Sequence, residues 1–159
     1  MTMAGVGAVR LVQVDFVLDL AAHADGDLLS NPVEIAGIWG PSEHSGIVQS
    51  LHILDDVAQG FAMDILFLQA GTSLGTLNAA YAASDALNGT VIGVVHIATT
   101  DWIALGSGAS YAIPQFNPFV VSTIHSDKSV RSLYLAAIAR GAFDAAAADD
   151  LHVRLGLLL

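Results

Sequence analysis

An all-β fold, a β-sandwich or barrel with one short helix near residues 77–89, is what this sequence predicts. Three observations predict it. Apolar and polar residues alternate with the period of a half-buried strand. The apolar runs are short and are broken by clusters of Gly, Asp, Asn, Ser and Pro. Val, Ile, Phe and Thr, which suit a pleated surface, are frequent in those runs.

VRLVQVDFVLDL (9–20) sets Val12, Val14, Phe16 and Leu18 on one face and Gln13, Asp15 and Asp19 on the other. HADGDLLSNP (23–32) is a run of turn formers. PVEIAGIW (32–39) then reads as a second strand, with Pro32 at its start where no ladder donor is needed. IVQSLHIL (47–54) is a third, closed by Asp55, Asp56 and Gly60. AMDILFLQ (62–69) alternates less cleanly and is expected to be buried on both sides.

FLQAGTSLGTLNAAYAASDA (67–86) has the outline of a phosphate-binding loop: a strand, a Gly-rich turn and a helix start. The parts that do the chemistry are missing. Gly71 and Gly75 are separated by three residues and Thr76 follows without a lysine, so nothing neutralises phosphate charge. The three-glycine dinucleotide fingerprint is absent as well. The glycines are therefore expected to turn the chain tightly from a central strand into LNAAYAASDALNG (77–89), a helix stopped by Asn88–Gly89.

The remaining strands are TVIGVVHI (90–97), DWIAL (101–105), FNPFVVSTI (116–124), VRSLYLAAIA (130–139) and LHVRLGLLL (151–159). AFDAAAADD (142–150) reads either as a short helical turn or as a loop. There is no internal repeat, linker or low-complexity tail, so residues 1–159 are expected to form a single domain.

Composition narrows the function. Hydrophobic residues are 54% of the 159 and charged residues only 13%, about half the usual share. Few charges on a small domain imply surface shared with neighbours. The mean hydropathy is +0.63, but runs such as VIGVVHIA (91–98) fall well short of the roughly 20 apolar residues of a membrane-spanning helix. Ala22-His23-Ala24 mimics a signal cleavage site, yet Gln13, Asp15 and Asp19 interrupt the apolar region it would need, so no signal peptide is expected. Net charge is −10 with five basic residues, Arg10, Lys128, Arg131, Arg140 and Arg154. That supply is too small for direct nucleic-acid binding or for docking on anionic lipid. Cysteine is absent, which removes disulfides, thiolate metal sites and thiol nucleophiles.

No catalytic, cofactor-binding or metal site is predicted. The histidines are His23, His44, His52, His96, His125 and His152, and no pair has the spacing that sets two imidazoles on one helix face. A fold that brought His52, His96 and His152 together with Asp55 or Asp56 would reopen a metal site; strand histidines are more often polar residues with one partner. Asp25-Gly26-Asp27 is a fragment of a calcium loop and a better hairpin turn. Asp149–Asp150 reads as a solvated turn, and GSGAS (106–110) lacks the spacing of a nucleophile elbow. With only Glu34 and Glu43, a paired-carboxylate hydrolase would have to use aspartates. Trp39, Trp102, Tyr111, Phe116 and Phe119 sit at strand ends or in Pro-containing loops, where aromatics either anchor interfaces or close the ends of a core. Leu157, Leu158 and Leu159 form an apolar tail that frays unless strand pairing or a neighbouring subunit holds it. These eight are the interface candidates.

LHILDDVAQGFAMDILFLQAGTSLGTLNAAYAASDA (51–86), SLYLAAIARG (132–141) and LHVRLGLLL (151–159) together resemble a family of small virion proteins of tailed bacteriophages, of the head decoration, or cement, type. The most distinctive part is FLQAGTSLGTLNAA followed by SDA, and the first 45 residues take no part in it. The resemblance implies a non-enzymatic, jelly-roll-like β-sandwich on the outer surface of the capsid, assembled as a homotrimer, braced on the major capsid protein and using no cofactor. Two other classes stand beside it: a head–tail joining or tail structural protein, and a sugar- or metal-binding β-sandwich with catalytic potential.

Overall fold

The alternation becomes two antiparallel sheets in the computed structural model, which describes residues 9–39, 45–106, 108–122 and 132–159. The strands are β1 (Val9–Asp15), β2 (Leu28–Ile35), β3 (Ser45–Asp55), β4 (Met63–Leu68), β5 (Val91–Ile97), β6 (Trp102–Gly106), β7 (Ala109–Ala112), β8 (Phe119–Ser122), β9 (Leu133–Ala139) and β10 (Leu151–Leu158). The larger sheet runs β1-β10-β3-β7-β6, with β8 also paired to β3; the smaller runs β2-β9-β4-β5. The pairs β1–β10, β2–β9, β3–β8 and β4–β5 nest inside one another along the chain. One long hairpin is thus wound across two sheets, the jelly-roll form of a β-sandwich. The β6–β7 hairpin is an addition that widens the larger sheet.

The period-two faces meet between the sheets. One inward rung of the larger sheet is Val14, Val153, Ile53, Ala112 and Trp102. Met63, Ile65 and Phe67 of β4 and Leu133, Leu135, Ala137 and Ala139 of β9 face it from the smaller sheet within the same core. Phe16 and Leu18 stay buried although pairing in β1 ends at Asp15. Each such side chain contributes about 1.5–3 kcal/mol by leaving water.

The smaller sheet carries a second apolar layer on its back. Leu66 and Leu68 of β4, Ala136 and Ile138 of β9, and Leu28 of β2 pack there under Leu74, Leu77, Tyr81 and Leu87. This cover explains why 62–69 alternates poorly: β4 is buried on both sides, as expected.

The cover also answers the Gly-rich stretch. Residues 69–84 are an excursion across the back of the sheet rather than a tight turn into a helix. A Cβ on Gly71 would lie 2.5 Å from the Tyr134 ring, so glycine is required by close packing. Asn31 fastens the loop, accepting from the Leu74 N–H at 2.8 Å and the Ser73 hydroxyl at 3.0 Å while donating to the Gly75 carbonyl at 3.0 Å.

Four local expectations are corrected. The helix over 77–89 shrinks to a single turn, α1 (Asp85–Asn88), started by the Ser84 cap. Asn78 adopts φ 55°, and residues 78–81 run beside 26–28 in backbone hydrogen bonds, including Tyr81 N–H to Gly26 O at 2.8 Å. Unpaired backbone at that edge outcompetes the helix propensity of the alanines. Within 23–32, Leu28 onward belongs to β2, so Pro32 lies inside a strand. It is tolerated because β2 is an edge strand whose register slips between Ser30 and Val33. That strand also ends at Ile35, ahead of Gly37 at φ 63°. Gly106 closes β6 at φ 80° and Gly108 precedes β7 at φ 90°, and β7 is a strand the sequence reading missed. Residues 142–150 form the loop of the two alternatives.

Candidate functional site

The outer face of the larger sheet reads rung by rung. Val9, Leu158, Ile47 and Val120 form one end rung. Leu11, Gly156 and Ser50 come next, then Gln13, Arg154 and His52. Asp15, His152, Leu54, Tyr111 and Ile103 form the rung beyond. The face is apolar at one corner, polar across its middle, and apolar again at the far edge, where Ile103 and Leu105 of β6 point outward.

The polar middle is a connected belt. Arg154 Nε donates to Gln13 Oε1 at 3.2 Å, and Gln13 Nε2 donates to Asp15 Oδ1 at 2.9 Å. His152 Nδ1 lies 2.7 Å from Asp15 Oδ1 and its Nε2 lies 3.1 Å from Asp56 Oδ2. A ring with a carboxylate at each nitrogen is best satisfied with both nitrogens protonated. Burial alone would lower the His152 pKa, but hydrogen bonds to Asp15 and Asp56 raise it above the usual value. The His152 hydrogen bond, followed by that of Gln13, holds the Asp15 carboxyl below its ordinary range. His52 Nδ1 is hydrogen-bonded to the Tyr111 hydroxyl.

A second polar cluster sits on the smaller sheet, where Asp64 accepts from His96 Nδ1 at 2.7 Å and from Arg140 Nε at 2.6 Å. Asp55, fully buried, accepts from the backbone N–H groups of Val57, Gln59 and Gly60 at 3.0, 2.8 and 3.2 Å and from Ser110 Oγ at 3.3 Å. It builds the turn after β3. The space between the sheets is filled by apolar side chains.

Among the described residues, the structure does not bring His52, His96 and His152 together. His52 and His152 lie on the larger sheet, His96 on the smaller one, and His23 is buried against Phe143 with ring centroids 6.1 Å apart. His44, His125 and Glu43 lie outside the described residues. Among the described residues no group of three or more His, Cys, Asp or Glu converges on a point where a metal ion would sit. At His152 the reason is geometric, since its two carboxylates occupy opposite nitrogens. No helix among the described residues is long and apolar enough to cross a membrane.

The interface candidates divide. Trp39 and Leu157 are 1% and 0% exposed, so both serve the chain's own core and offer nothing to a partner. Trp102 is half-buried against Phe61, whose carbonyl accepts from Trp102 Nε1 at 2.8 Å. Phe116 and Phe119 are brought together edge to face at 6.0 Å, and Phe119 meets Phe67 of the core in the same way at 5.1 Å. Tyr111 stands half-buried on the outer face beside His52. Leu158 and Leu159 line a shallow apolar hollow of about 360 Å³ with Ile47 and Val120. A cleft of similar size separates β1 from β2, lined by residues 12–15 and 33–36.

Sequence reasoning missed the hydrophobic residues exposed on the strands of the larger sheet: Val9 at 71%, Leu11 at 72%, Val120 at 63%, and Ile103 and Leu105 at 59% each. The signal was present in VRLVQVD, where Val9 and Leu11 fall on the face of Gln13 and Asp15, the polar side of the strand. No family model matches the chain, and no curated protein matches it either.

Proposed function

We propose that this chain is a non-enzymatic virion structural protein of a tailed bacteriophage, a decoration protein that binds the outside of the capsid as a symmetric oligomer, a homotrimer. The observation that carries the reading is the pair of outward apolar corners on the larger sheet, in a molecule with 13% charged residues. Contiguous exposed apolar surface marks protein contact. The jelly-roll sandwich is an architecture used by capsid proteins and by lectins, so the fold supports the reading without deciding it.

In this function the protein has only to bind and brace. Apolar corners bury against sister copies and the major capsid protein, and each modest contact is multiplied because an oligomer engages several capsid subunits at once. The acidic surface, net −10, repels nucleic acid and keeps unassembled copies apart. Intact particles imaged with this chain located in the map test the proposal. Density on the outer capsid surface at lattice symmetry positions is expected. A ring at the head–tail joint would move the protein to the neck, and its absence from particles would end the virion reading.

A further inference from the structure

Of the four asparagines, Asn31, Asn78, Asn88 and Asn117, two precede proline, which has no N–H, and only Asn88 precedes glycine. An Asn–Gly pair carries the means of its own modification. The glycine nitrogen can attack the side-chain amide carbon, and no Cβ of its own hinders the approach. Here the pair lies at the end of α1, where both reacting groups are held. The Gly89 N–H donates to the Asp85 carbonyl at 2.9 Å. Asn88 Oδ1 accepts from the Tyr81 hydroxyl at 2.6 Å, and Asn88 Nδ2 donates to the Ala83 carbonyl at 3.2 Å. This clasp is closed but lightly held. The α1 helix is a single turn with no buried residue, capped by Ser84 Oγ, which accepts from the Leu87 N–H at 3.4 Å. A lone turn bears the cost of helix nucleation for few bonds, so it opens while the core stays intact.

We propose that Asn88–Gly89 is a site of spontaneous deamidation, gated by opening of α1 and of the Tyr81–Asn88 clasp. In the open turn the Gly89 nitrogen gives up its proton and forms a bond to Asn88 Cγ. The Cγ–Nδ2 bond breaks, ammonia leaves carrying that proton, and a succinimide ring remains. Water then opens the ring at one of its two carbonyls, leaving aspartate or isoaspartate at position 88. Water is the one co-reactant. Neither product remakes the clasp. A carboxylate has no hydrogen for the Ala83 carbonyl, and it adds negative charge at the C-terminal end of a turn that begins with Asp85. Tyr81 and Leu87 belong to the cover over Leu66, Leu68 and Ile138, so the modification loosens the back of the smaller sheet. Asp25–Gly26 has a similar outline, but its Gly26 N–H is tied to the Ala139 carbonyl of β9 at 2.9 Å, and a carboxylate is a poorer target than an amide.

Peptide mass mapping of the full-length protein, aged at mildly alkaline pH with and without urea, tests this. Asn88 is expected to be the first asparagine converted, to aspartate and isoaspartate, and about tenfold or more slowly in the folded chain than in urea. Tyr81→Phe keeps the ring and removes the bond; it should speed conversion of the folded chain about threefold or more and leave the rate in urea unchanged. Ser84→Ala weakens the cap and should act in the same direction, so it carries the test if circular dichroism shows Tyr81→Phe unfolded. Gly89→Ala should suppress conversion in both conditions; its Cβ would meet only the Ala86 and Asp85 carbonyls at 3.4 Å, so the fold accommodates it. Equal rates folded and in urea, or a folded Tyr81→Phe that converts no faster than the parent, would remove the gate. Conversion first at another asparagine, or none at Asn88 of the folded chain once the chain in urea has fully reacted, would remove the site.

Discussion

At the scale of one residue, His152 joins three segments of the larger sheet: its own strand, Asp15 of β1, and Asp56 after β3. The groups that face it are Asp15 and Asp56, with Arg154 and His52 on the adjoining rung. Its pKa is raised by folding, so the stability it contributes is fully present below the ordinary histidine pKa of about 6.5 and is lost as pH rises through the folded value. The Asp15 pKa is lowered, so its contribution is present above its ordinary 3.8 and is lost as pH falls through the folded value. Both hold together between about pH 4 and pH 6. Because the carboxylates are 55% and 48% exposed, the pair is worth under about 1 kcal/mol. His152→Gln is expected to lower Tm within that window and to match the parent once the pH has risen through the folded value of His152. Thermal melts across the pH range check this, and a difference that grows toward alkaline pH would refute the latch.

At the scale of an element, Gly93 in β5 shows how packing between strands decides residue identity. A Cβ there would lie 2.3 Å from Phe119 Cε2, and the φ of this glycine is not positive, so the cost of any side chain is steric alone. Gly93→Ala is expected to destabilise by about 1–3 kcal/mol as β8 is pushed from β5, measured by urea unfolding. Removing the ring relieves the clash, so adding Phe119→Leu should recover part of the loss; an additive double variant would contradict the contact. The strands were legible because their apolar alternation is local. Long strands such as β3 and β10 follow from it directly. The Ala-rich 77–89 was not legible, since its competitor is the backbone edge at Gly26 and Leu28, remote in sequence. The β7 strand was hidden for another reason: ASYA is too short to show a period, and only the glycines beside it mark the hairpin.

At the scale of the whole molecule, composition leads one to expect shared surface without saying where. Trp39 and Leu157 attracted attention by size and position, yet the jelly-roll winding encloses both. Val9 and Leu11 were readable as misplaced apolar residues; Ile103 and Leu105 became significant only when β6 proved to be the opposite edge of the same sheet. The global charge then predicts how assembly responds to salt. Copies of net charge −10 repel over about 30 Å at 0.01 M ionic strength and about 8 Å at 0.15 M. The outward apolar corners, with Val9, Leu11 and Val120 at one and Ile103 and Leu105 at the other, carry no charge of their own, so screening removes repulsion and leaves the apolar attraction intact. Oligomerisation is therefore expected to strengthen as sodium chloride rises from about 0.01 M to about 0.5 M. Leu11→Lys should abolish that gain, which a charge-mediated contact elsewhere on the surface would not do. Sedimentation at fixed protein concentration reads the response, and an assembly that loosens with salt would mean that ion pairs, not the greasy strand edges, hold the copies together.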